Sequence, residues 1–192
     1  MRLFLAIELP DAIRRGLADI SSRLRTAPDL SGCSWVRTEN LHVTLKFFGE
    51  VPEATLPAIC ESLNQVRLDG SIRLKASRME LLPPHGPVRV IAAGLEGDRW
   101  RLEELHGQIE KRCADVGFPP EARKFRPHVT LARARRPLSP GVRGEIEERT
   151  AELLPLEELV VNDFVLMESR LKPDAAQYIP LARFKLDREQ QS

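Results

Sequence analysis

The chain has 192 residues, 42% of them apolar and 30% charged, with a formal net charge of +1. Those values fit one globular domain, or two small lobes sharing a core. They exclude a protein that binds nucleic acid or membrane through its overall field, so any basic site must be local.

In chain order, residues 2–9 read as a first strand: the apolar run Leu3–Ile7 is stopped by Glu8 and Pro10, too early for a signal peptide. Asp11 is positioned to cap a helix with Ile13, Leu17, Ile20 and Leu24 on one stripe. Strand character returns at Trp35–Val36 and at His42–Phe48. A helix follows with Leu56, Ile59, Leu63 and Val66 inward, and Pro57 fits only its first turn. Ser71–Leu82 alternates as a strand, Pro83–Gly86 turns, and Val88–Leu95 is a further strand. Trp100–Val116 is an amphipathic helix, and a strand ends at Leu131. Val142–Leu153 reads as a short helix, and Val160–Met167 and Tyr178–Leu186 as two closing strands. No segment approaches the roughly 20 apolar residues of a membrane-spanning helix. The cysteines Cys33, Cys60 and Cys113 are scattered, with no CxxC pair, so no structural zinc is expected and reduced thiols in a cytoplasmic protein are.

The tetrapeptide His-Val-Thr-Leu occurs twice, at His42–Leu45 and at His128–Leu131, 86 residues apart. Four histidines and six threonines in 192 residues lead chance to expect only roughly 0.1 His-x-Thr matches. The same offset lays "LFLAIEL" (Leu3–Leu9) over "RVIAAGL" (Arg89–Leu95), each followed by a helix and then by the tetrapeptide. The chain thus reads as a duplicated strand–helix–strand unit, its copies related by a pseudo-two-fold axis that brings the tetrapeptides to one cleft.

Side chains alternate along a strand, so His42 and Thr44 share one face, as do His128 and Thr130, with Val43, Leu45, Val129 and Leu131 turned to the core. Two imidazoles across a cleft suit paired proton transfer, one taking a proton from a nucleophile and one delivering a proton to a leaving oxygen. The threonine hydroxyls suit an anion held between them. No carboxylate-plus-histidine spacing calls for a metal. His85, in a turn, and His106, on a helix, read as surface or core residues instead. Basic residues gather near the second copy at Arg123, Lys124, Arg126, Arg133, Arg135 and Arg136, and near the first at Arg37 and Lys46. Most read as a solvated face. Arg133 stands at a fixed distance from His128 and suits bidentate phosphate binding. Phe47 holds the equivalent place in the first copy and suits base stacking or the core. Strict alternation puts Phe47 and Arg133 on the face opposite the histidines. They join the cleft only if alternation breaks, which Gly49 and Pro137 offer a reason for.

With its "HVTLKF" and "HVTLAR" motifs, the chain resembles the two-histidine (2H) phosphoesterases, and within them the RNA 2′,3′-cyclic phosphodiesterases, also called 2′-5′ RNA ligases (the ThpR/LigT group). "RLFLAIELP", "WVRTENLHVTLKFFGEV", "RPHVTLAR" and a hairpin holding Ser169 and Tyr178 extend the likeness over nearly the whole chain. The resemblance implies an α+β, bilobal duplicated fold over residues 1–192, with two mainly antiparallel sheets flanking a central cleft and helices outside. It implies hydrolysis of a terminal 2′,3′-cyclic phosphate on RNA to a 2′-phosphate, without metal or cofactor. In that scheme His42 is the general acid, His128 the general base, Thr44, Thr130 and Arg133 bind the phosphate, and Phe47 stacks on the terminal base. The expected partners are RNA ends or nucleotides bearing the cyclic phosphate, with no membrane, and the protein is expected to be a monomer. Reversible 2′-5′ ligation, and non-catalytic binding of RNA ends, are the competing readings.

Overall fold

The computed structural model describes residues 1–139, 141–172 and 176–186. Strands β1 (Arg2–Glu8), β2 (Cys33–Trp35), β3 (His42–Glu50), β4 (Ile72–Leu82), β5 (Val88–Gly97), β6 (His128–Leu138), β7 (Glu158–Val161), β8 (Asp163–Leu171) and β9 (Ala176–Lys185) form a curled antiparallel sheet. Its path is β7-β4-β5-β6-β3-β1-β8-β9, with β2 beside β6. The two expected sheets are its halves. They touch along β3 and β6 at one paired position, Val43 with Val129.

Helices α1 (Asp11–Arg25), α2 (Leu56–Leu63), α3 (Arg99–Asp115) and α4 (Val142–Thr150) cover one face. The helix stripes and the core-facing strand residues merge there into one apolar cluster. Ile13, Leu17, Ile20 and Leu24 of α1 join Leu3, Leu5 and Ile7 of β1 and Ile91, Ala93 and Leu95 of β5. Truncating a buried leucine here should cost roughly 2–5 kcal/mol. The opposite face carries the small cluster Phe4, Ala6, Val165 and Met167, with Tyr178 against it. That face holds the cleft.

Three local expectations change. Asp11 is the first helical residue rather than the cap, and Pro10 takes the cap position. The Asp11 carboxylate accepts from Arg14 at 2.9 Å instead. The single strand expected over Val160–Met167 is two. β7 pairs with β4 at one edge of the sheet, and β8 pairs with β1 in the other half. The chain crosses over at Asn162, so the C-terminal β8–β9 hairpin completes the half that β1 began. Lys46 leaves the solvent altogether, as described below.

Candidate active site

The repeat extends to the hydrogen-bond register. In the first copy, Leu5 pairs with Lys46 and Ala6 with Thr44, so Leu45 is an extra residue in β3. In the second, Ile91 pairs with Ala132 and Ala92 with Thr130, so Leu131 is extra in β6. Both extra residues lie 86 positions apart, as do their partners. At such a bulge two successive side chains turn to the same side. Leu45 with Lys46, and Leu131 with Ala132, are all buried toward the helices. Alternation then resumes one residue late, which returns Phe47 and Arg133 to the face of His42, Thr44 and Thr130. The break therefore falls at the tetrapeptide's own leucine, before Gly49 and Pro137. Gly49 does adopt a left-handed φ of 74°, but the facing is already restored by then.

A cavity of about 390 Å³ opens on this face, lined by His42, Thr44, Phe47, Thr130 and Arg133. His128 is not among its lining residues, although its charge is near enough to act on His42. The histidines are held alike. His42 Nδ1–H donates to the Asn40 carbonyl at 2.7 Å, and His128 Nδ1–H donates to the Arg126 carbonyl at 2.7 Å. A carbonyl only accepts, so each ring carries its proton on Nδ1 when neutral and leaves Nε2 for chemistry. His42 Nε2 lies 3.0 Å from Thr44 Oγ1. The His42 pKa is lowered, first by burial, with the His128 and Arg133 charges adding to it and the Asn40 bond opposing.

Around His42 stands an aromatic box that sequence reasoning placed only in part. Phe4 lies 5.0 Å from the His42 ring, Tyr178 meets it edge-on at 5.3 Å, and Phe4 meets Tyr178 at 4.8 Å. Phe47 stands 6.1 Å from Phe4 and is 58% exposed, open on the cleft. Phe4 had signalled itself only as part of an apolar strand. Arg2, Asn40 and Ser169 complete the polar lining.

Lys46, counted among the basic residues near the first motif, is only 2% exposed and points away from the cleft. Its Nζ donates to both carboxylate oxygens of Glu110 on α3, at 2.9 Å each, and to the Pro119 carbonyl at 3.1 Å. Glu110 also accepts from the Glu121 amide at 2.9 Å, and a Glu121 carboxylate oxygen accepts from the Phe47 amide at 3.4 Å. The network ties the bulge of the first motif to the loop that leads into the second. The equivalent position in the second copy is Ala132, so the tie is one-sided.

Of the remaining basic residues, Arg123, Lys124, Arg126, Arg135 and Arg136 are exposed and outside the cavity lining. His85 is exposed. His106 stacks on Phe125 at 4.0 Å, and burial lowers its pKa. Among the described residues no three His, Cys, Asp or Glu side chains gather as a metal-ligand group, and no helix is long and apolar enough to cross a membrane. Cys113 is buried, and that burial pushes its thiol up to about 12.

The model of the LigT like Phosphoesterase family matches residues 7–92 and again 96–176, the first match holding the His42 tetrapeptide and the second the His128 tetrapeptide. The chain belongs to this family. It is 31% identical over 185 residues to an RNA 2′,3′-cyclic phosphodiesterase of Archaeoglobus fulgidus, covering 96% of this chain and 100% of that one. A Thermus thermophilus protein of the same name is 32% identical, over 97% and 90% of the two chains. Among solved structures, one from Thermus thermophilus superposes with a TM-score of 0.77 at 28% identity, over 97% of this chain and 98% of that one. E. coli LigT complexed with 3′-AMP gives 0.76 at 26%, again over 97% and 98%. These likenesses bear out the α+β fold expected from the motifs.

Proposed function

We propose that this protein is an RNA 2′,3′-cyclic phosphodiesterase, a hydrolase that opens a terminal 2′,3′-cyclic phosphate to a 2′-phosphate. The full-length likeness to phosphodiesterases of that name supports the activity. The observation that carries the mechanism is the matched pair of imidazoles, each presenting Nε2 because a backbone carbonyl two residues earlier holds Nδ1–H.

The substrate phosphate sits between the copies, accepting from Thr44 and Thr130 and paired with Arg133. His128 Nε2 takes a proton from water as the water oxygen bonds to phosphorus. The bond from phosphorus to O3′ breaks, and His42 Nε2–H protonates O3′ as it leaves. Burial, with the His128 and Arg133 charges adding to it, lowers the His42 pKa and favours the neutral ring in the free enzyme. An anionic phosphate brought against it has the opposite effect and favours the imidazolium. Substrate binding therefore loads the acid with the proton it must deliver. The terminal base stacks on Phe47, which tolerates any base because every base has a π face. The leaving group is one sugar alkoxide and the phosphate a single anion, so proton transfer carries the step and we assign it no metal. We further read the chain as one domain of two pseudo-symmetric lobes, a monomer working in the cytoplasm with its cysteines reduced.

Incubating an oligonucleotide that ends in a 2′,3′-cyclic phosphate, with and without EDTA, tests this. The expected product is a 2′-phosphate end at equal rate in both. Adding a 5′-hydroxyl fragment separates hydrolysis from 2′-5′ joining, and opened rather than joined product is expected to dominate.

A further inference from the structure

We infer that a second cavity beside the catalytic cleft binds the next phosphodiester of an RNA chain, so that this enzyme prefers oligonucleotide ends over cyclic mononucleotides. The inference rests on the phosphodiesterase reading above and adds a subsite to it. This cavity measures about 430 Å³ and is lined by Arg37, Glu39, Asn40, Lys172, Gln177 and Tyr178, among others. Asn40 and Tyr178 line the catalytic cavity as well, so the two cavities adjoin across these residues.

The dividing wall is built into the site. The Asn40 carbonyl holds His42, and its Nδ2–H donates to the Ala176 carbonyl at 2.7 Å. Tyr178 meets the His42 ring edge-on. A terminal nucleotide with its phosphate at the histidines and its base on Phe47 still has its 5′ chain to place, and the cavity past Asn40 and Tyr178 offers it room. Beyond the wall that chain meets two cations, Arg37 and Lys172, and the amide of Gln177. The Arg37 guanidinium is 52% exposed and only 4.0 Å from the Glu39 carboxylate, itself 67% exposed. A pair that loose and solvated contributes little, so the guanidinium is available to a phosphate, which it can grip with two parallel donors. Arginine at this place serves a diester that carries charge but no sequence information.

The test compares adenosine 2′,3′-cyclic phosphate with a five-nucleotide RNA ending in the same group, for wild type and for Arg37→Ala/Lys172→Ala. Both positions are exposed, so the variant is expected to fold. Expected are a drop on the order of 10-fold in kcat/KM for the RNA at low salt and a change under twofold for the mononucleotide. The log–log salt dependence of the RNA reaction should become shallower by about 0.7, the value for one lost single-strand phosphate contact. An equal fall on both substrates overturns the inference, as does an RNA rate and salt slope unchanged by the double substitution. Absence of mononucleotide and RNA hydrolysis in the wild type would instead overturn the phosphodiesterase reading itself.

Discussion

Replacing Lys46 by methionine tests whether the buried network behind the cleft organises the first motif. Lys46 makes three hydrogen bonds, and its partner carboxylate on Glu110 is 11% exposed. In Lys46→Met the thioether would fill much of the lysine's volume but leave Glu110 a buried charge held only by the Glu121 amide and the edge of His106, 3.6 Å away. Breaking a buried pair on one side costs about 3–5 kcal/mol. In a domain of this size each kcal/mol lowers Tm by about 2–4 °C, so a fall of roughly 6–20 °C is expected. Lys46→Met/Glu110→Leu removes both charges and should recover most of the loss. Thermal unfolding followed by circular dichroism reads both variants, and KM for a cyclic-phosphate substrate should rise in both as Phe47 and the 119–126 loop lose their tie. A single variant within about 0.5 kcal/mol of wild type, or a double variant no more stable than the single, would refute the argument.

Phe47→Ala should leave Tm unchanged, because the ring is 58% exposed. The same change should raise KM by about 5- to 150-fold with kcat nearly kept, from about 1–3 kcal/mol of lost stacking. In a pH profile, kcat/KM should fall as pH rises, along a limb that lies below the ordinary histidine value of about 6.5, because the free enzyme's His42 acid has a lowered pKa. The falling limb of kcat should lie higher, since bound phosphate favours the charged ring. Arg133→Gln should move the kcat/KM limb upward while weakening binding, and an unmoved limb would separate Arg133 from His42. For stability the sign runs the other way. The unfolded chain takes up the His42 and His106 protons first, so Tm should fall as pH drops below about 6.5, and His106→Gln should lessen that fall.

The halves of this molecule were legible because duplication wrote the same residues twice. His42, Thr44, His128 and Thr130 announced themselves by spacing alone, and the strands around them followed from alternation. Phe47 and Arg133 were harder. Their facing depends on one extra residue per strand, and a bulge is a property of the ladder between two strands, with no distinctive residue at Leu45 or Leu131 to mark it. Lys46 misled for a related reason. A lysine among basic residues reads as part of a solvated face, and only the fold brings Glu110, 64 residues on, to its ammonium group. The crossover at Asn162 was invisible because Val160–Met167 is equally apolar on both sides of it, and which sheet edge takes each part is decided by the strands already present. The box around His42 shows the same limit: Tyr178 reaches it only through the pairing of β8 with β1.

The most direct test of the two-histidine account is product analysis of a cyclic-phosphate-terminated RNA with wild type, His42→Ala and His128→Ala. The account predicts a 2′-phosphate product from the wild type and a loss of about 10²- to 10⁴-fold in each variant, the range for removing one positioned proton transfer. Full turnover in either variant would contradict it. So would a wild type that binds the RNA end without opening the ring.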